Sequence, residues 1–309
     1  MTTTRITTII AAIVCCGLTN IASAKEKGGG GGAGMAEFEK ANQLFEQKQY
    51  QPALTEYTKA IQANGKQPAF FQNRGYAFLA LQRAPEAAAD FTKAIELAPN
   101  DARGYIGRAQ AFIAQKQFDL ALADLDKAVQ LKPDDPSGYS FRGFAQIGLS
   151  QWDKAVADFT TAIQKNPQDL QSYDRRALAY RNLKQYEPAI ADYTFLITKN
   201  PNDAESLVRS GFTYAAMSQY EKAIPDYEAA LKVKPDDYDT VQRLQYARAM
   251  LAAKNAPPTA TPAPTPVEGP TWLTPLNIIL AVVVIGIVAA VVRLVTRGKA
   301  EVTSSNRIR

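Results

Sequence analysis

The chain has 309 residues, of which 46% are hydrophobic, enough to bury a core, and a formal net charge of +5. Between positions 37 and 254, Lys plus Arg and Asp plus Glu balance at 27 each, so the excess is terminal and the central region offers no basic face to a nucleic acid. Histidine is absent and both cysteines, Cys15 and Cys16, fall within the first 24 residues, so no metal site, cofactor or thiol nucleophile is expected in the mature chain.

Residues 1–24 carry a positive charge at Arg5, an apolar run over 6–18 and the small-residue sequence Ala22-Ser23-Ala24 ahead of Lys25. That layout predicts a cleavable secretory signal. Residues 25–34 are glycine-rich and predict a flexible tether.

From residue 35 the chain matches itself at a shift of 34. Alanine recurs at Ala53, Ala87, Ala121, Ala155, Ala189 and Ala223, and a small residue at Ala41, Gly75, Ala109, Gly143, Ala177 and Gly211. A large residue recurs at Tyr57, Phe91, Leu125, Phe159, Tyr193 and Tyr227, and a breaker at Gly65, Pro99, Pro133, Pro167, Pro201 and Pro235. Each unit holds two segments of helical periodicity, such as 70–81 and 85–97, and the proline ends it. The small residues let two helices approach closely while the large one fills the space beside them. A single pair cannot bury its apolar face alone; stacked neighbours can. Six units over 35–237 are expected, with 238–254, which carries Arg243, Arg248 and Lys254, as a solvating capping helix.

Two finer expectations follow from the same register. Leu196 stands where other units have alanine, which predicts a local change of stacking between the fifth and sixth units. A base on each of the first five first helices (Lys40, Arg74, Arg108, Arg142, Arg176) faces an acid sixteen residues on (Glu56, Asp90, Asp124, Asp158, Asp192), which predicts a structural ladder of ion pairs; Asp226 continues the acids without a base.

Residues 255–271 contain six prolines among Thr and Ala, a composition for an extended stalk. Residues 272–296 read as a single transmembrane helix. The stretch beginning at Leu276 is uncharged to residue 292, and apolar character resumes at Leu294 and Val295. As a helix, 273–292 spans about 30 Å, the thickness of a hydrocarbon core. Arg297, Lys299, Arg307 and Arg309 then mark 297–309 as a cytoplasmic tail, which puts the repeats on the extracytoplasmic side. The lack of an Asn-x-Ser/Thr sequon over 25–271 leans toward a bacterial periplasm or cell surface.

The 34-residue period with this pattern resembles the tetratricopeptide repeat family. The resemblance implies an all-α fold, a right-handed α-solenoid of six helix-turn-helix repeats plus a capping helix. It also implies a concave groove, lined by the first helices, that receives a protein or peptide. Carried onto this chain, the groove positions include Asn42, Asn73 and Arg103. The fourth repeat offers Phe141, Phe144 and Ile147 beside Gly148; the fifth and sixth bring Arg175, Arg181, Arg209 and Phe212. Asn42, Asn73 and Arg103 fill three of the five places of the clamp with which chaperone-tail-binding members hold a terminal carboxylate, while Phe38 and Gly107 stand at two places that should be basic. Aromatic anchors beside arginines suit an apolar peptide residue followed by an acidic one; the competing reading is that the rings merely pack between helices.

The expected function is a non-catalytic, membrane-anchored interaction scaffold. The alternatives are a mechanical spacer, a chaperone-like accessory factor that binds peptide tails, or an accessory enzyme subunit. For an enzyme only pairs such as Asp134 with Asp135 or Asp236 with Asp237 are available, and their place in the inter-repeat turns fits solvation and helix initiation better.

Overall fold

The computed structural model describes residues 32–256. The expected signal, most of the tether, and nearly all of the stalk, with the membrane helix and the tail, lie outside the described residues. Among the described residues all regular structure is helical, and no helix is long and apolar enough to cross a membrane.

Six helical hairpins follow one another: α1 (Met35–Glu46) with α2 (Tyr50–Ala63), α3 (Pro68–Ala80) with α4 (Ala84–Leu97), and α5 (Ala102–Ala114) with α6 (Phe118–Leu131). Then come α7 (Pro136–Gly148) with α8 (Trp152–Lys165), α9 (Leu170–Asn182) with α10 (Tyr186–Lys199), and α11 (Ala204–Ala216) with α12 (Tyr220–Val233); α13 (Tyr238–Asn255) closes the series. Each helix from α1 to α12 packs on its sequence neighbours, α13 joins α12 in the cluster of Tyr220, Ala223, Tyr227, Leu244 and Ala247, and first helices also touch the next first helix, from α1 through α9. This places the odd-numbered helices on one shared face. Contact between α9 and α11 is sparser than that between α3 and α5 or between α5 and α7. Leu196 is buried with Ala177, Ala189 and Tyr193, so its volume is taken up between α9 and α10.

Local chemistry sets the boundaries. Asp101, Asp135, Asp169 and Asp203 cap α5, α7, α9 and α11 by accepting from the backbone N–H of Arg103, Ser137, Ser172 and Glu205. In the turn before α7, Asp135 serves as the cap and Asp134 meets Lys165 at 3.0 Å. Each hairpin turns on one left-handed residue, at Lys48, Gln82, Lys116, Ser150, Lys184 and Ser218, with φ between 57° and 60°. At the third, the Lys116 N–H donates to the Ile113 carbonyl and the Gln117 N–H to the Phe112 carbonyl, closing the helix end in a Schellman arrangement. Gly34, counted with the tether in the sequence, has φ 85° and caps α1, and a Cβ there would stand 2.5 Å from the Ala60 carbonyl oxygen.

The core is a column of large residues seated on small ones. Tyr57, Phe91, Leu125, Phe159, Tyr193 and Tyr227 are buried at 1% exposure or less, opposite the small residues of their own first helices. Phe91 is squeezed from two sides: a Cβ on Gly75 would come within 2.9 Å of its ring, and one on Gly107, from the next repeat, within 2.2 Å. Gly107→Ala is thus expected to destabilise the protein by about 1–3 kcal/mol through overpacking, read as a lower chemical-denaturation midpoint. An unchanged midpoint would mean that the ring can move aside.

The ion-pair ladder is present as its sequence period predicts. Arg74, Arg108, Arg142 and Arg176 each pair with the acid sixteen residues on (Asp90, Asp124, Asp158, Asp192) at 2.7 Å, and Lys40 meets Glu56 at 3.1 Å. A further guanidinium nitrogen reaches back to the preceding repeat, to Thr58, Thr92, Asp126 or Thr160. Every one of these four arginines therefore ties together three helices. In the sixth repeat Ser210 replaces the arginine, and Oδ2 of Asp226 is buried without a hydrogen-bond partner. Burial raises the Asp226 carboxyl above its usual range, and the nearby Ser210 hydroxyl only partly offsets this. Raised in the folded state, this group favours folding most below its unfolded value of about 3.9 and loses that contribution as pH rises through the higher folded value. Asp226→Asn should accordingly be more stable at pH 7 by about 1 kcal/mol, with the gap closing toward pH 3. Thermal melts across that range would show it, and a gap of constant size would exclude titration as the cause.

Candidate partner-binding groove

At the N-terminal end of the shared face the polar side chains satisfy one another. Tyr57 donates to Asn42 Oδ1 at 2.7 Å, and Asn73 donates to the same oxygen at 2.8 Å. Arg103 lies along Asp101 with contacts of 2.8–3.1 Å, and Asp101 also accepts from Gln72 at 2.9 Å. The three residues that resemble half of a carboxylate clamp are thus engaged internally, Asn42 and Asn73 with each other and Arg103 apart from them.

In the middle of the face the aromatic positions separate by burial. Phe141 is 6% exposed and packs with Ile106, Ile113 and Leu125 of the preceding repeat, so it is a core ring and not a groove contact. The sequence register assigns its position to the groove. In this repeat, however, the preceding large residue is Leu125 instead of an aromatic, and Phe141 fills the space. Phe144 is half-buried, with the Arg175 guanidinium 4.7 Å from its ring centre. Ile147 packs beside it on the cluster around Phe159 and Ala179.

Between α9 and α11, charged and aromatic side chains meet. Arg209 of α11 pairs with Asp174 of α9 and with Glu205 on its own helix. Arg181 of α9 lies 4.5 Å from the ring centre of Phe212 on α11, and Arg243 of α13 lies 4.9 Å from that same ring. Phe212 remains 39% exposed. Cations are drawn to the ring's π-face, which holds both guanidinium groups in place without neutralising them.

Next to this ring, an open cleft of about 380 Å³ is lined by Phe212, Tyr220, Tyr227, Gln242, Arg243 and Tyr246, with Ala215 and Ala216. Tyr220 and Tyr246 meet edge to face at 6.3 Å. Burial pushes the Tyr227 phenol up to about 12, with Arg243 pulling the other way, so it stays protonated. Arg243, expected to solvate the cap, instead lines this cleft, whereas Arg248 pairs outward with Glu228. The sequence held one usable signal: a capping helix with tyrosines at 238 and 246, which are 71% and 58% exposed, is more aromatic than a solvating surface requires.

Stacked helical hairpins with a 34-residue period, one shared face of first helices and a capping helix define an α-solenoid of the peptide-repeat type. The chain belongs to the tetratricopeptide repeat family: family models described as tetratricopeptide repeats match residues 38–102, 73–136, 108–179, 170–203 and 204–237. Comparison with curated proteins finds no match. Among solved structures the fold is similar to YrrB, described as a TPR protein with an unusual peptide-binding site, at 21% identity over 62% of this chain and 97% of that one, TM-score 0.52. It is also similar to the APC/C hetero-tetramer Cut9–Hcn1, at 15% identity over 77% of this chain and 46% of that one, TM-score 0.60. A third similar structure is pilF of Pseudomonas aeruginosa, at 16% identity over 70% and 96% of the two chains, TM-score 0.60.

Proposed function

We propose that the protein is a non-catalytic interaction scaffold, held at a membrane by residues 272–296 with its repeats on the extracytoplasmic side, and that it recruits a partner protein through the groove of the fourth to sixth repeats. The carrying observation is the line of aromatic and arginine side chains formed by Phe144, Arg175, Arg181 and Phe212, in which Phe212 is 39% exposed. Rings flanked by arginines are the composition of binding hot spots. Tetratricopeptide repeats generally mediate protein association, and YrrB, which shares the fold, has a peptide-binding site. The charge and hydropathy of the two ends support the membrane placement.

The test uses the full-length chain in intact cells. Cross-linking followed by solubilisation should recover a defined partner with the native chain and lose it with a Phe144→Ala/Phe212→Ala double variant of equal helicity. Recovery undiminished by that variant would overturn the groove assignment, and the absence of any partner would favour a mechanical spacer. Protease added outside spheroplasts should cut the repeats and spare the tail; the reverse pattern would overturn the orientation.

A further inference from the structure

Resting on the groove reading above, we propose that the cleft between α11, α12 and α13 is a subsite for an acidic peptide segment. It takes an aliphatic or aromatic side chain among Phe212, Tyr220 and Tyr246 while the neighbouring carboxylate sits between Arg181 and Arg243.

The charge balance points to an anion. Arg181 and Arg243 converge on one ring, so the two positive charges lie within about 10 Å of each other and repel. Among the described residues neither has a carboxylate at ion-pair distance, in contrast to Arg74, Arg108, Arg142, Arg176 and Arg209, each of which has one. A carboxylate between them would relieve the repulsion and offer each guanidinium a charge-assisted hydrogen bond. The guanidiniums are already oriented by the Phe212 ring, so little ordering remains to be done on binding.

The cleft supplies the apolar half. It is lined by the aromatic residues Phe212, Tyr220, Tyr227 and Tyr246 and the two alanines of α11, together with Gln242 and Arg243. Exposed tyrosine gives rigid contact area at low entropic cost, and Tyr246 at 58% exposure has most of its ring left to cover. Arg181 of α9 and Arg243 of α13 both reach Phe212 of α11, so an extended chain running along Phe144 and Arg175 would meet this site at its far end. A peptide with an acidic residue next to a bulky apolar one meets both halves at once.

The probe is a fluorescent, terminally blocked heptapeptide with the core Asp-Leu-Asp, titrated by anisotropy against the full chain in detergent micelles, beside a control with Asn in place of both Asp. The Asp peptide should bind, with an affinity that falls as salt rises. Arg243→Met and Arg181→Met should each weaken it at least tenfold, and Tyr246→Ala several-fold, with unchanged circular dichroism. The Asn control should bind at least tenfold more weakly. Equal binding of the two peptides, indifference to Arg243→Met and Tyr246→Ala, or no binding at 1 mM would each overturn the subsite. Loss of binding in a Phe144→Ala/Arg175→Met variant with no effect of Arg243→Met would overturn it while leaving the groove reading intact.

Discussion

Phe141→Ala is expected to split the unfolding of the protein into two transitions, whereas Phe144→Ala, three residues away on the same helix, should leave one. Phe141 is a buried ring between the third and fourth repeats, in the cluster with Ile106, Ile113 and Leu125. Removing a buried ring of this kind costs about 3–5 kcal/mol, because the transfer energy is lost and a cavity remains. In a solenoid each repeat holds only its neighbours, so that cost falls on one interface and weakens the coupling of the first three repeats to the last three. Hydrogen exchange should then report different opening energies on the two sides of the 3–4 boundary. Phe144, half-buried under Arg175, should cost about 1 kcal/mol or less and act mainly on binding. A single, unshifted transition for Phe141→Ala would return that ring to the groove.

The same contrast explains what was legible in the sequence. The period fixes which positions share a face, because recurrence at 34 residues is geometric: the six hairpins, the cap and the ladder partners sixteen residues apart all follow from it. It does not fix burial, which depends on the size of the residue that the preceding repeat presents. Gly107 and Phe141 occupy the same register position, yet one yields to Phe91 and the other fills the space beside the smaller Leu125.

The left-handed corners were hidden for a related reason. Lys, Gln and Ser stand at the six turning positions where glycine would have announced the conformation. Arg243 and Tyr246 stand 34 residues after Arg209 and Phe212, so the period does carry the groove register into α13, where the sequence suggests only a solvating cap. Asn42 and Asn73 look available in sequence, and only the folded structure shows Tyr57 and the pair itself consuming their hydrogen bonds.

The ladder yields the second large effect, and its test separates structure from binding. Arg108 donates through Nε and Nη2 to Asp124 at 2.8 and 2.7 Å and through Nη1 to Thr92 of the preceding repeat at 3.2 Å. The hydrogen bonds to Asp124 raise the Arg108 guanidinium above its ordinary value, so the arginine remains charged at any pH that the fold survives. Arg108→Met leaves Asp124, whose side chain is only 9% exposed, without its counter-charge and removes the tie to α4. Breaking a buried pair by removing one partner costs about 3–5 kcal/mol; since 22% of the Arg108 side chain is in contact with solvent, about 2–3 kcal/mol is expected here. The double variant Arg108→Met/Asp124→Leu should recover most of that loss, because an apolar pair of similar volume leaves no charge unpaired. Partner binding should survive in both variants, since these residues lie away from Phe144, Arg181 and Phe212. Lost binding with unchanged melting would instead make the ladder a recognition surface.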